Sequence, residues 1–193
     1  MSDIPLSVAV VINAPVERVW LLLIEQQQPD GQNGPAQKYL HIEPEGPPIA
    51  GQVIQMKVWF LQMTIVIDRV VPEEPPPTGQ TIHARISFFG KEGEGVSRQM
   101  YDSDQYRIHT QAEFKHPWCQ GTQQIDIRCL ALDTTSCVLV YTEQSEWASR
   151  RGMNWLIRQL EKSEDTRRVE RKAIEASLHG IKVKAEQHFH QTL

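Results

Sequence analysis

The stretch VAVVINAPVERVWLLLIEQQQ, residues 8–28, decides the fold. With Ser7 in front of it, its first part is short and rich in β-branched side chains. That predicts a strand over 7–12 with both faces at least partly covered. Asn13 then offers a helix N-cap, and Pro15 sits where a first helical turn tolerates a missing N–H. Glu17 falls in that turn, where its charge suits the helix dipole. Val16, Val19, Trp20, Leu23 and Ile24 follow at spacings of three and four, which marks one buried helical face. The change of rhythm is a strand turning directly into a helix.

Downstream, residues 26–51 are rich in Gln, Gly, Asn and Pro and read as loop, with one helical turn near Ala36–Tyr39. QVIQMKVWF (52–60) and MTIVIDRVV (63–71) stand close enough for an antiparallel hairpin, and PEEPPPTG closes the second strand. In QTIHARISFFG (80–90), Ile82, Ala84, Ile86 and Phe88 alternate with Thr81, His83, Arg85 and Ser87, so one face is dry. GKEGEG (90–95) reads as a turn. Two segments of 96–114, VSRQMY and QYRIHTQAEF, each read as a strand or not. GTQQIDIRCLALD (121–133) and SCVLVYTEQSEW (136–147) form the clearest pair, a sheet covered on one side.

From about Arg151 the pattern is helical nearly to the end, without proline, and Ile174, Leu178, Ile181 and Ala185 form an apolar stripe. An antiparallel sheet needs something to cover its dry face, and this helix carries the only large apolar surface left. The expected architecture is α+β: a curved antiparallel sheet of about seven strands wrapped around a long C-terminal helix. With 193 residues, the default is a single domain over 1–193.

Twenty-four acidic against 20 basic residues give a net charge of −4, which argues against a dedicated nucleic-acid binder. Cys119, Cys129 and Cys137 include no C-x-x-C pair, a poor framework for disulfides or zinc and the pattern expected of reduced thiols. The N-terminus MSDIPLS has no signal-peptide pattern, and no apolar run reaches the ~20 residues of a membrane span. A cytoplasmic protein, monomer or homodimer and without integral membrane association, is the expectation.

The residues VAVVINAPVERVWLLL, GQVIQMKVW, GTQQIDIRCLAL and SLHGIKVKAEQ resemble, in that order, landmarks of the polyketide-cyclase and START-like (SRPBCC) superfamily. The resemblance spans nearly the whole chain. It implies a helix-grip fold enclosing an apolar cavity, and a protein that binds or converts a small hydrophobic or amphipathic molecule of lipid, polyketide or aromatic type. Segment 90–118 is longer than the common pattern and reads as a lid, an extra strand or an interaction surface.

The cavity lining expected on this basis is Trp20, Tyr39, Ile54, Met56, Val58, Phe60, Ile65, Ile67, Ile86, Phe88, Tyr141, Trp155, Leu156 and Leu178. His83, Arg85, Arg98, His109, Tyr141 and Glu143 lie in or near strands and are candidates to orient a ligand's oxygen atoms. Of these, His109 and Glu143 are the candidates for acid–base work. Alternation turns His83 and Arg85 towards solvent, whereas Tyr141 and Glu143 fit either face. GKEGEG lacks the Lys-Ser/Thr ending of a phosphate loop, and there is no G-x-S-x-G elbow. His188 and His190 point to different sides of a helix, and His109, His116 and Cys119 lack a fourth ligand, so no metal site is expected. No organic cofactor is expected either. The alternatives to simple binding are a cyclase- or dehydratase-like acid–base enzyme using the same cavity, and an interaction module with a vestigial cavity.

Overall fold

In a computed structural model, Leu6–Ile12 (β1) runs into the helix Val16–Gln26 (α1), as the opening stretch predicts. The structure describes residues 5–26, 40–44, 48–58, 61–73, 78–149 and 164–190. Pro15 stands just outside α1, and its carbonyl accepts from Arg18 N–H at 3.1 Å and Val19 N–H at 3.3 Å. The helix therefore starts two residues later than a cap at Asn13 implies. Asn13 serves elsewhere: its N–H donates to Glu186 Oε1 at 2.9 Å.

Eight further strands follow: Leu40–Glu43 (β2), Val53–Val58 (β3), Leu61–Pro72 (β4), Gly79–Phe88 (β5), Lys91–Asp102 (β6), Arg107–Lys115 (β7), Cys119–Ala131 (β8) and Cys137–Ser149 (β9). The helix Glu164–His190 (α2) ends the series. Among the described residues, nine strands form one curved antiparallel sheet in the order β1-β9-β8-β7-β6-β5-β4-β3-β2. The expected seven become nine because Leu40–Glu43, inside the 26–51 segment read as loop, is a strand, and because VSRQMY and QYRIHTQAEF both contribute to strands. GKEGEG is not a turn; the turn is Phe89–Gly90 alone, both at positive φ (51° and 67°), and β6 starts at Lys91. Segment 90–118 is accordingly no lid. It supplies β6 and β7 at the centre of the sheet.

β1 also departs from expectation. It pairs only with β9, so it is an edge strand, and Val8 and Ile12 are buried while Val11 is 49% exposed. One face is covered, not two. On that inner face α1 and α2 pack against β1, β8 and each other. Val16, Val19, Trp20 and Leu23 of α1 join Leu178, Ile181 and Ala185 of α2, and Val8, Ile12, Ile108, Cys129, Cys137 and Leu139 of the sheet. Burying side chains of this size contributes about 1.5–3 kcal/mol each. Lys182 Nζ also donates to the Val11 carbonyl at 2.9 Å, tying α2 to the edge strand.

In β4 the pairing with β5 shifts between Ile67 and Arg69, so Asp68 is an extra residue. Such a bulge bends its strand and increases the local twist. It also resets the alternation, leaving Ile65, Ile67 and Val70 facing the same way as Ile86, Ala84 and Ile82.

Candidate functional site

Register decides which side chains meet on the inner face, because directly paired residues point to the same side of a sheet. Starting from the buried Leu139, Ile108 and Cys129, the pairing carries the inner face across the molecule. One row across it reads Gln80, Gln99, Thr110, Ile125, Glu143, on five successive strands from β5 to β9. The rows on either side hold Ser97, Ala112, Gln123 and Ser145 in one direction, and Tyr101, Ile108, Ile127 and Tyr141 in the other. Polar groups from distant parts of the chain thus form a belt across a mostly apolar surface.

Two hydrogen-bonded clusters make up the belt. Glu143 is only 8% exposed. Its Oε2 accepts from the Tyr141 hydroxyl at 2.7 Å, and its Oε1 from Gln123 Nε2 at 2.5 Å and Ser145 Oγ at 3.3 Å. A carboxylate only accepts, so three neutral donors suit it. Three strands away, Gln99 Oε1 accepts from Gln80 Nε2 at 2.8 Å and from the Tyr101 hydroxyl at 3.2 Å. Burial pushes the Tyr101 phenol up, with the Gln80 hydrogen bond acting in the opposite direction.

Beyond the belt, towards the Phe89–Gly90 turn, the inner face carries Ile54, Ile65, Ile67, Ile82, Ala84, Ile86 and Phe88. Most of these are half-buried, unlike the closed core under α1 and α2. Two glycines let neighbouring side chains pack close to the strands here. A Cβ at Gly121 would stand 2.7 Å from Phe114 Cε1, and one at Gly95 would stand 2.9 Å from Ile86 Cδ1. The neighbouring apolar side chains occupy the space that those strand positions give up.

Of the expected lining residues, Ile54, Ile65, Ile67, Ile86, Phe88 and Tyr141 share the inner face. Trp20 and Leu178 belong to the closed core, where Trp20 meets Tyr106 edge-on with ring centroids 6.0 Å apart. Met56 and Val58 lie in β3, with side chains outside those described. Tyr39, Phe60, Trp155 and Leu156 lie outside the described residues.

The two acid–base candidates separate. Glu143 lies on the inner face, but His109 is paired with Asp126, opposite in parity to Ile108, and lies on the outer face. Strand alternation excludes it from a common site with Glu143. There it joins an ionic cluster in which Asp126 accepts from Arg107 Nε at 2.6 Å and Arg128 Nε at 2.7 Å, with His109 Nδ1 3.8 Å away. The outer face also holds the other basic candidates: Arg85 pairs with Asp68 at 2.8 Å, Arg98 with Glu73 at 2.6 Å, and His83 lies between them in register. His116 is buried, with Nε2 3.0 Å from the Lys91 carbonyl and Nδ1 accepting from Trp118 N–H at 3.2 Å. Both its nitrogens are engaged, Nε2 with the start of β6 and Nδ1 within the 116–119 turn. Sequence reading missed Gln80, Gln99, Thr110, Gln123 and Ser145, although strict alternation from Ile108 along β7 assigns the inner parity of Thr110.

No protein-family model matches the chain, and no curated protein matches it. Solved structures do. The Zhui aromatase/cyclase from Streptomyces is 15% identical, with 96% of this chain and 95% of that one covered and a TM-score of 0.53. A Thermus thermophilus protein is 12% identical over 94% of this chain and 97% of that one, TM-score 0.47. A START superfamily protein from Mycobacterium smegmatis is 12% identical over 95% and 97%, TM-score 0.46. The aromatase/cyclase likeness, together with the curved sheet and the helix packed on it, shows a helix-grip fold. No helix among the described residues is long and apolar enough to cross a membrane.

Proposed function

We propose that the protein binds a small amphipathic molecule on the inner face of its sheet. The apolar part of the ligand lies against Ile82, Ala84, Ile86 and Phe114, and its polar group meets the belt at Gln99, Thr110 and Glu143. The observation that carries this reading is the belt itself: Gln80, Gln99, Thr110 and Glu143 in one register row, with half-buried apolar side chains beyond it. A few placed polar groups among apolar walls are what orients a ligand in a site of this kind. Burying about 200 Å² of apolar ligand surface supplies about 5 kcal/mol before ordering costs.

Adjacent residues on opposite faces provide the test. Ala112→Trp fills the inner face beside the belt, whereas Gln111→Trp adds the same ring outside. Binding of the neutral fluorophore N-phenyl-1-naphthylamine is expected to weaken tenfold or more in Ala112→Trp and to stay unchanged in Gln111→Trp. Equal binding by both variants refutes the reading. Native mass spectrometry of the purified protein supplies the natural ligand's mass.

One observation favours a second reading, acid–base catalysis in the same place. Tyr141 and Glu143 form a hydroxyl–carboxylate pair at 2.7 Å, a geometry able to pass a proton to a bound substrate. Under this reading, turnover of poly-β-ketone or enone substrates depends on both residues. Unchanged turnover in Tyr141→Phe and Glu143→Ala removes it.

A further inference from the structure

The charge balance around Glu143 identifies the polar group that the site accepts, an inference that rests on the binding reading above. Glu143 is buried, and its three partners, Tyr141, Gln123 and Ser145, are all neutral donors. Among the described residues no Lys, Arg or His stands within ion-pair distance of it. The outer face differs: Asp68, Glu73 and Asp126 are each matched by arginine. Within the sheet, the described Lys or Arg at an inner-face position is Lys91 alone, at the hairpin tip and eight positions along β6 from Gln99. At about 3.4 Å per residue, that lies roughly 27 Å from the belt.

A carboxylate removed from water is costly unless it is hydrogen-bonded and matched in charge. Among the described residues Glu143 has hydrogen-bond donors but no cationic partner. Oε2 takes one donor while Oε1 takes two, so Oε2 keeps an acceptor position. Ile125 within the belt and Ala112 beside it lead to Ala84, Gly95 and Phe114, a surface for an apolar body. We infer that the site recognises an amphipathic amine, its ammonium group donating to Glu143 Oε2 and its alkyl or aryl body lying along β5–β8. A neutral alcohol of the same length gains one hydrogen bond there but no charge match. A carboxylic acid is repelled.

Three probes with one ten-carbon chain separate the contributions: decylamine, 1-decanol and decanoate, each measured at neutral pH by displacement of N-phenyl-1-naphthylamine. Decylamine is expected to bind at least tenfold more tightly than 1-decanol, and decanoate more weakly than either. In Glu143→Gln, which keeps the shape and removes the charge, decylamine is expected to fall to the level of 1-decanol. The alcohol's affinity serves as the internal check that the variant is folded. If decylamine and 1-decanol bind equally to the wild-type protein, or if the amine preference survives in Glu143→Gln, the inference is wrong while the binding reading stands. If none of the three binds, both fail. The wild-type amine-to-alcohol ratio decides the matter alone should Glu143→Gln not fold.

Discussion

Tyr141 and Glu143 lie two residues apart on β9, on the same face, with the phenolic hydroxyl donating to the carboxylate at 2.7 Å. Hydrogen bonds to charged groups contribute about 1.5–3 kcal/mol, so Tyr141→Phe is expected to lower stability within that range. His109→Ala, on the outer face, is expected to leave ligand binding unchanged. Urea denaturation measures the first and fluorophore titration the second. A binding defect in His109→Ala would contradict the assignment of faces.

The outer ionic cluster sets an acid response. Burial raises the Asp126 carboxyl, but hydrogen bonds from Arg107 and Arg128 outweigh it and hold the group below the usual aspartate value. Between that depressed value and about 3.9, where the unfolded chain titrates, the unfolded state binds a proton that the folded state does not. Stability therefore rises with pH in this window, is fully present above it and is lost as pH falls through the folded value. Asp126→Asn is expected to flatten the acid limb of a urea-midpoint profile below about pH 4. A limb of unchanged slope counts against the cluster as its source.

Leu178 is the α2 residue in the middle of the buried contact with the sheet, flanked on the same stripe by Ile174 and Ile181. Truncating a buried leucine to alanine costs about 2–5 kcal/mol through lost burial and the cavity left behind. Leu178→Ala is expected in that range, against less than about 0.5 kcal/mol for the exposed Leu132→Ala. Similar values for the two would mean that α2 does not hold the sheet.

The cysteines are expected to be inert. Burial, with Cys137 nearby, pushes the Cys129 thiol up to about 12, and burial, with Glu17 nearby, pushes Cys137 up to about 11. At pH 8 only about one Cys129 in ten thousand is then a thiolate, and the thiolate is what reacts. Mass spectrometry after iodoacetamide treatment should find both unmodified in the native protein and both modified in guanidinium chloride. Rapid native labelling at either position would refute their burial.

The strand-to-helix opening was legible because each half carries its own periodicity, and the stripe from Ile174 to Ala185 was legible for the same reason. GKEGEG misled because glycine serves two purposes. At Gly90 it supplies a positive φ, but Gly93 and Gly95 are strand residues in close contact with His116 and Ile86. The exposed Glu92 and Glu94, alternating with them, give that strand a turn-like composition. The candidate site was mostly hidden. Glu143 could be named, but Gln80, Gln99 and Thr110 come from three other strands and meet it only through a register that no local pattern reveals. The face of His109 needs a parity reference, which the burial of Ile108 supplies.

The strand order has a consequence for assembly. Every neighbouring pair in the sheet is consecutive in the chain except β1 with β9. Eight strands can zip up by local hairpins, which form quickly, whereas closure by β1 joins residues as far apart as Leu6 and Glu143. Until then β9 is a free border, and the buried acid it carries has no strand on one side. The inner face around Glu143 is completed last, by the same step that latches the amino-terminal strand to the final helix.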